Sequence, residues 1–341
     1  MDGPPADDQS RGVGKQLWYL PETDRVRPTW RVLVPLVVGL SLYLGVSAAA
    51  WIPVGFEVQS PVDTATSALL LGGQLAAPIV GLGSVLAIVS GLDRRPISMM
   101  DLVPSNPWLR DFGGGLVIGL IAAACMVAVP VTAGETTMTI DPSGVGVDSV
   151  ALGAVVLVGL LGSLVSTAVF QEFLFRRLVI TNVVEVVGER AVDPRRAVGI
   201  AVAVSAVCYG GFELLIGGPV RGLGVAVPAA LIGLYYAAAY VFTGRLGLPI
   251  GLHLGGAIAL GSLYGTPTGG FHLPSVVVVD SLALDQSLAA SVRLQLVRVL
   301  VGGLLLWLWV YVVYGEFSVT DHITEVDREN SSRTPTSPDD R

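Results

Sequence analysis

An acid and a base lie four residues apart in the stretch Phe170 to Arg177, at the end of a long apolar segment. The segment before them, Val150 to Phe170, carries no formal charge. Glu172 and Arg176 would lie on nearly the same face of an α-helix, because four residues turn the chain by about 400°. An ionisable group at membrane depth costs free energy and is usually retained for a function. We therefore predict that this face looks into protein or trapped water rather than lipid.

Two more polar groups interrupt later apolar segments. Tyr209 and Glu213 are again four residues apart, and His253 lies within the glycine-rich stretch Leu248 to Ala257. All three groups also have a purely structural interpretation. Glu172 and Arg176 could form an ion pair that fixes helix packing, Glu213 could face water, and His253 could be a hydrogen-bonded packing residue. The three groups fall on three of four consecutive apolar segments, and this joint occurrence favours one shared site.

The composition predicts the fold class. Of 341 residues, 52% are hydrophobic and 14% are charged, whereas about 25% of the residues of an average soluble domain are charged. Long apolar segments with so little charge are typical of a polytopic membrane protein. We predict an all-α membrane bundle of about eight transmembrane helices. The apolar segments that could span a membrane are Val32–Val54, Ala65–Ser90, Phe112–Ala133, Ser149–Phe175, Ala197–Leu215, Leu223–Thr243, Leu248–Tyr264 (short for a span) and Leu296–Tyr314.

Several functional classes lack support in the sequence. The net charge is −7 and no basic patch exists, which argues against binding of nucleic acid. Cys125 and Cys208 both lie in apolar segments and indicate packed thiols rather than a disulfide framework or a zinc site. A His-Glu-x-x-His zinc motif is absent. We expect no cofactor and no metal.

The arginines predict the orientation in the membrane. They concentrate before the first span and in the even-numbered connections, so the positive-inside rule places both termini in the cytoplasm of a plasma-membrane protein. The predicted regions are a cytoplasmic tail (1–30), N-terminal transmembrane helices (31–148), a core with the polar motifs (149–265), an external loop (266–290), a last transmembrane helix (291–316) and a disordered C-terminal tail (317–341).

The spacing of two acids along one hairpin is the main geometric indication of a shared site. The fourth helix is predicted to continue past its apolar part until Asp193-Pro194 stops it. Glu172 and Glu213 are each about twenty residues from that turn. At a rise of about 1.5 Å per residue, an antiparallel pair of helices would hold both acids at the same depth.

The order of these motifs resembles that of the CAAX-processing and bacteriocin-processing intramembrane endopeptidases, the CPBP or Abi family. The family pattern is Glu-Glu-x-x-x-Arg, then Phe-x-x-x-His, then His-x-x-x-Asn on successive core helices. The resemblance extends over roughly Ser149 to Tyr264. The corresponding stretches here are Gln171 to Arg176, Tyr209 to Glu213, and His253 to Ala257.

The resemblance implies roles for the matching positions. In the family, the first glutamate and the second-motif histidine are thought to activate a water, the second glutamate and the arginine to support the site, and the third motif to stabilise the oxyanion. Glu172, Arg176 and His253 match the pattern. The positions that depart from it are Gln171, Glu213 and Ala257. An amide cannot accept the proton of the attacking water, and alanine removes one candidate oxyanion donor.

Three hypotheses remain open from the sequence. In the first, the protein is an active endopeptidase in which Glu213 or Glu172 activates water, His253 faces the oxyanion, and Gln171 and Tyr209 have supporting roles. In the second, it is a catalytically inactive scaffold that binds a membrane partner. In the third, it is a transporter that uses its two acids and His253 as a proton relay. The expected partner is a membrane-embedded or membrane-associated protein, within the lipid bilayer.

Overall fold

The computed structural model describes residues 17–19, 26–52, 64–93, 100–140, 150–188, 190, 192–217, 222–263, 277–279 and 287–320. Most of the predicted N-terminal tail, most of the predicted external loop and the C-terminal tail from residue 321 lie outside these residues.

The described chain is predominantly helical. The α-helices are α1 (Pro28–Trp51), α2 (Thr64–Asp93), α3 (Asn106–Thr132), α4 (Val150–Glu172), α5 (Thr181–Gly188), α6 (Pro194–Gly217), α7 (Leu223–Thr243), α8 (Gly247–Ala257) and α9 (Leu288–Tyr314). Two π-helical segments extend them: π1 (Phe173–Ile180) joins α4 to α5, and π2 (Ile258–Leu263) follows α8. Two short strands, β1 (Met138–Ile140) and β2 (Val277–Val279), pair in antiparallel register.

Seven helices of the described residues are long and apolar enough to cross a membrane. One of them is the continuous helix Leu157–Gly188, which includes π1 and α5. An eighth apolar helix, Gly247–Gly261, is shorter. The predicted helical bundle is therefore confirmed, and the seventh predicted span is the short one. The last helix begins at Leu288, eight residues before the predicted span at Leu296.

The contacts divide the chain into two units. The first comprises Met1–Val103 and Val155–Leu174, and the second comprises Pro104–Ala154 and Phe175–Arg341. The long fourth helix contributes to both, because its residues change unit between Leu174 and Phe175.

The first unit packs through small residues and one aromatic anchor. A side chain in place of Gly39 or Gly73 would overlap Val85 or Ala50, so α1 and α2 lie close together. Phe170 of α4 is fully buried, and its ring stacks on Tyr43 with centroids 5.2 Å apart. A Cβ atom at Gly81 would come within 2.9 Å of the same ring.

In the second unit, α3 and α8 meet backbone to backbone. A side chain at Gly251 or Gly255 would overlap the carbonyl oxygens of Phe112 and Leu116, and one at Gly115 would overlap that of Leu248. Only glycine allows this approach, which is typical of helix contacts inside membranes. The contact fixes α8, the helix that carries His253.

A buried carboxylate joins α3 to the end of α9. Asp111 is fully buried, and it accepts hydrogen bonds from the Tyr314 hydroxyl at 2.5 Å and from Trp309 Nε1 at 3.4 Å. Nitrogen atoms of Arg110 and Arg245 lie 3.7 Å from its oxygens. We call these five residues the Asp111 cluster. Hydrogen-bond donors and cations surround the Asp111 carboxylate, so its negative charge is compensated within the cluster.

Candidate functional site

The first motif lies where the fourth helix changes from α-helical to π-helical hydrogen bonding. The chain stays helical from Val150 to Gly188, as predicted, but Phe173–Ile180 forms a π-helix. Segments of π-helix are rare in proteins, and many of those that are known lie at functional sites. Their hydrogen bonds run from residue i to i+5, so the turn of 100° per residue assumed from sequence does not apply between Glu172 and Arg176.

Arg176 is held by polar and aromatic contacts inside the second unit. Its side chain is fully buried, and Nη1 donates to the Ser205 hydroxyl at 2.8 Å. That hydroxyl donates in turn to the Phe175 carbonyl oxygen at 2.6 Å. The guanidinium carbon lies 5.1 Å from the Tyr209 ring centroid, within reach of a cation–π interaction. Ser205, which the sequence analysis missed, thus orients the arginine.

His253 contacts the same tyrosine and a second one. Its ring stacks on Tyr236 with centroids 5.1 Å apart and an angle of 13° between the planes. It meets Tyr209 edge to face at 6.4 Å. The Arg176 guanidinium carbon lies 5.8 Å from the Tyr236 centroid. Three predicted site residues, Arg176, Tyr209 and His253, are therefore brought together around two tyrosine rings.

A second buried arginine belongs to this region. Arg298 of α9 is 6% exposed, and its Nη2 donates to the Tyr236 hydroxyl at 2.9 Å. A side chain at Gly256 would overlap the same nitrogen, so the guanidinium lies against the backbone of α8. The sequence analysis did not select Arg298. The available signal was an arginine two residues inside the predicted span Leu296–Tyr314, where charge is costly. We call Arg176, Tyr209, Tyr236, His253 and Arg298 the tyrosine–arginine cluster.

Glu213 lies one helical turn beyond Tyr209 on α6. It is half-buried, and it forms no hydrogen bond or ion pair with any residue that the structure describes. A carboxylate in this state keeps its lone pairs available for a water molecule or a ligand.

The residues before π1 belong to the first unit. Gln171 is 3% exposed and Glu172 is 0% exposed. Within the described chain, the Gln171 side-chain oxygen accepts no hydrogen bond. The convergence of these two side chains with the tyrosine–arginine cluster, and the equal depth of Glu172 and Glu213, stay predictions.

Two further observations bear on the chemistry of the site. Ala257, at the position of the family asparagine, is half-buried at the end of α8 and carries no donor. Among the described residues, no group of three or more His, Cys, Asp or Glu side chains could hold a metal ion. The cluster in the second unit can offer N–H and O–H donors to an anion, and Glu213 can accept a proton.

Comparison with known proteins addresses the family. Residues 153–258 match the family model described as type II CAAX prenyl endopeptidase, Rce1-like. The match includes all three motif stretches, from Gln171 to Ala257. No curated protein and no solved structure matches the chain. The chain is a multi-pass membrane protein, and its residues 153–258 are similar to the CAAX-protease family that the motifs predict, in its type II, Rce1-like group.

Proposed function

We propose that the protein is a divergent intramembrane endopeptidase that hydrolyses a membrane-associated protein or peptide. The observation that supports this proposal best is the grouping of Arg176, Tyr209 and His253 within a Rce1-like segment. We further propose that it acts in the plasma membrane with both termini in the cytoplasm, as the distribution of arginines predicts.

Glu213 is the proposed general base. In this mechanism, its carboxylate takes a proton from a water molecule as the hydroxide oxygen attacks the scissile carbonyl carbon. His253 donates a hydrogen bond to the oxyanion that forms. The tetrahedral intermediate then collapses, and Glu213 returns the proton to the leaving amine nitrogen. The unengaged, half-buried state of Glu213 in the described chain supports this assignment.

The first motif has a supporting role in this proposal. Gln171 cannot accept a proton, but its buried side-chain oxygen can accept a hydrogen bond from a water or a peptide N–H. Glu172 and Arg176 are carried over from the family pattern as a supporting pair. Ser205 fixes the guanidinium end of that pair.

The test is cleavage of a library of fluorogenic transmembrane peptides by the purified protein in liposomes. Glu213→Gln is expected to lower the rate by about 10²- to 10⁴-fold, the usual contribution of a general base. Glu172→Ala and His253→Ala should also lower it, whereas Glu316→Gln, a matched change at an exposed carboxylate, should have no effect. Equal cleavage by the wild type and all three site variants would remove the case for catalysis here.

A second candidate function is that of an inactive membrane scaffold. Gln171 and Ala257 favour it, because the family's proposed base and one of its oxyanion donors are both replaced. This candidate predicts a partner protein that copurifies uncleaved with the wild type and is lost with His253→Ala. Turnover that depends on Glu213 would exclude it.

A further inference from the structure

A groove lies between α7 and α9 in the second unit. Each helix lines it with three side chains spaced four residues apart, which places them in a row on one face of the helix. The rows are Leu234, Ala238 and Phe242 on α7, and Val299, Gly303 and Trp307 on α9. The middle residue of each row is small and the outer residues are large. The small residues therefore leave a hollow between the helices, with a cavity volume of about 260 Å³.

The hollow is open and faces outward from the spanning helices. A Cβ atom at Gly303 would meet no neighbouring atom within 4 Å. Leu234 and Trp307 on its walls are 40% and 46% exposed, and both belong to helices that are long and apolar enough to cross a membrane. Exposed apolar side chains of such helices contact lipid tails. The groove can therefore take an apolar chain from the bilayer.

The groove leads toward two arginines. Tyr235 meets Gly302, and further along both helices Arg245 meets Tyr314, so α7 and α9 run in the same direction and end together. Arg245 Nη1 donates to the Tyr314 hydroxyl at 3.0 Å. The guanidinium carbon of Arg110 lies 5.4 Å from the centroid of the Tyr314 ring. Both guanidinium groups are thus held beside the C-terminal end of α9.

An aromatic pair forms the end of the groove nearest these arginines. Phe317, which follows α9, also lines the groove, and its ring centroid lies 3.9 Å from that of Phe242. The segment is fixed on α7, because the Thr320 backbone N–H donates to the Val241 carbonyl oxygen at 3.2 Å. Phe242 precedes Arg245 by three positions. The apolar groove and the cations therefore follow one another along the same helix ends.

The described residues only partly compensate the two positive charges. The side chains of Arg110 and Arg245 are 47% and 36% exposed, and each has a nitrogen 3.7 Å from an oxygen of Asp111. No other carboxylate of the described chain forms an ion pair with either arginine. The exposed Glu316 instead accepts a hydrogen bond from Ser318 at 2.9 Å. Two guanidinium groups thus share one buried carboxylate, and part of each faces outward.

We propose that the groove binds an acyl chain of an anionic phospholipid whose phosphate pairs with Arg110 and Arg245. The apolar walls take the chain, and guanidinium groups match the oxygens of a phosphate. An apolar part followed by an anionic part is the order found in a phospholipid. The distribution of arginines predicts that this end faces the cytoplasm. Basic pockets between membrane helices on that side bind anionic head groups.

The proposal does not depend on catalysis. The phospholipid is neither the substrate nor a product of the proposed hydrolysis, and no groove residue is assigned to proton transfer. The groove nevertheless adjoins the candidate site, because Tyr235 lines it and the next residue, Tyr236, stacks on His253. A bound lipid would therefore support the helix that carries part of the tyrosine–arginine cluster.

The experiment counts the lipids bound to the full-length protein by native mass spectrometry. The delipidated protein in detergent is titrated with dioleoyl phosphatidylglycerol or dioleoyl phosphatidylcholine, which share their acyl chains and differ in net charge. We expect the wild type to bind the anionic lipid about fivefold more tightly, as for one basic residue near a membrane surface. Inorganic phosphate at the same concentration should not compete, because it lacks the acyl chain.

Gly303→Leu tests the groove. Its side chain would fill the hollow and should weaken binding of phosphatidylglycerol by about tenfold, the loss expected when roughly two methylene groups are no longer buried. The fold should persist, because the position is open and leucine favours a helix more than glycine does. The matched control is Gly45→Leu on α1, another glycine that faces open space, and it should leave binding unchanged.

Arg110→Gln tests the head group. Arg110 is chosen because its side chain is more exposed than that of Arg245. The substitution should abolish the preference for phosphatidylglycerol and leave binding of phosphatidylcholine intact. Arg195→Gln, at an exposed arginine of α6, is the control for general electrostatic attraction and should retain the preference.

Four outcomes would overturn the proposal. Equal binding of both lipids to the wild type would remove the recognition of charge, and binding unchanged by Gly303→Leu would remove the groove. Displacement of the lipid by inorganic phosphate would reduce the site to an anion site. A protein dimer without bound lipid that Gly303→Leu dissociates would assign the groove to a second copy of the chain.

Discussion

The two buried polar clusters of the second unit differ in how their charges are matched. In the Asp111 cluster, the carboxylate accepts from Tyr314 and Trp309, and two arginines lie beside it. In the tyrosine–arginine cluster, Arg298 has one acceptor and no carboxylate among the described residues. The first arrangement is that of a structural link between helices. The second carries an electrostatic cost, which is expected where a site is kept for a ligand.

The largest predicted loss of stability follows from removing the Asp111 carboxylate, whose charge is compensated by its neighbours. Asp111→Ala should lower the free energy of unfolding by about 3 kcal/mol, because it leaves buried donors and nearby cations without their acceptor. Unfolding in detergent micelles, followed by helical circular dichroism, measures the change. Glu316→Ala, at an exposed carboxylate, is the control. A loss below 1 kcal/mol would show that the Asp111 cluster is not a structural link.

A smaller loss is expected at one of two adjacent glycines of α8. Gly255→Ala should cost about 2 kcal/mol, because its Cβ would overlap the backbone of Leu116. Gly256→Ala should cost less, since its Cβ meets the end of the Arg298 side chain, which can move. The same unfolding assay compares them. Gly113→Ala is the control, because a Cβ atom there would meet no neighbouring atom within 4 Å.

Cleavage in the liposome assay should reverse this order. Gly256→Ala displaces the Arg298 guanidinium, which donates to Tyr236 beside His253, and should lower the cleavage rate. Gly255→Ala should affect cleavage only through the fold. Equal effects of both substitutions on stability and on cleavage would argue that the two faces of α8 do not differ in role.

Two tyrosine-to-phenylalanine substitutions compare the clusters directly. Tyr314→Phe removes a hydrogen bond to a buried carboxylate and should cost about 1.5 kcal/mol. Tyr235→Phe removes a buried hydroxyl without a described partner and should leave the stability unchanged or slightly higher. Thermal unfolding midpoints of both variants, measured in the same detergent, provide the comparison. The opposite order would mean that the Tyr235 hydroxyl is already satisfied in the folded protein.

The smallest effect is predicted for Arg298→Met. Replacing an uncompensated buried cation by an apolar side chain of similar length is often neutral or stabilising. We expect a change in the free energy of unfolding within about 1 kcal/mol. A loss of stability as large as that of Asp111→Ala would instead assign Arg298 a structural role.

The helical class and the motif helices could be predicted because they depend on long apolar segments and on a few polar residues within them. The short helix at Gly247–Gly261 was also foreseeable from its length. Motif order alone led to the expectation that the three motifs share one site, and in the structure Arg176 and His253 both lie beside Tyr209.

Other features could not be read from local sequence. The π-helix at Phe173–Ile180 has no compositional signature, so the predicted angle between Glu172 and Arg176 rested on the wrong helix type. Ser205 and Tyr236 are ordinary residues of apolar helices, and only tertiary packing gives them a partner. Arg298 was visible as a charge inside a span, but it matches no motif, and its neighbours come from other helices.

Photo-crosslinking tests the central claim most directly, namely that the polar cluster around His253 is the ligand site. A transmembrane peptide of the kind used in the cleavage assay, carrying a photoreactive group, would be irradiated with the purified protein, and the modified residues identified by mass spectrometry. We predict modification of α7 and α8 around Tyr236 and His253, and its loss in His253→Ala. Modification confined to the Asp111 cluster, or unchanged in that variant, would contradict the account.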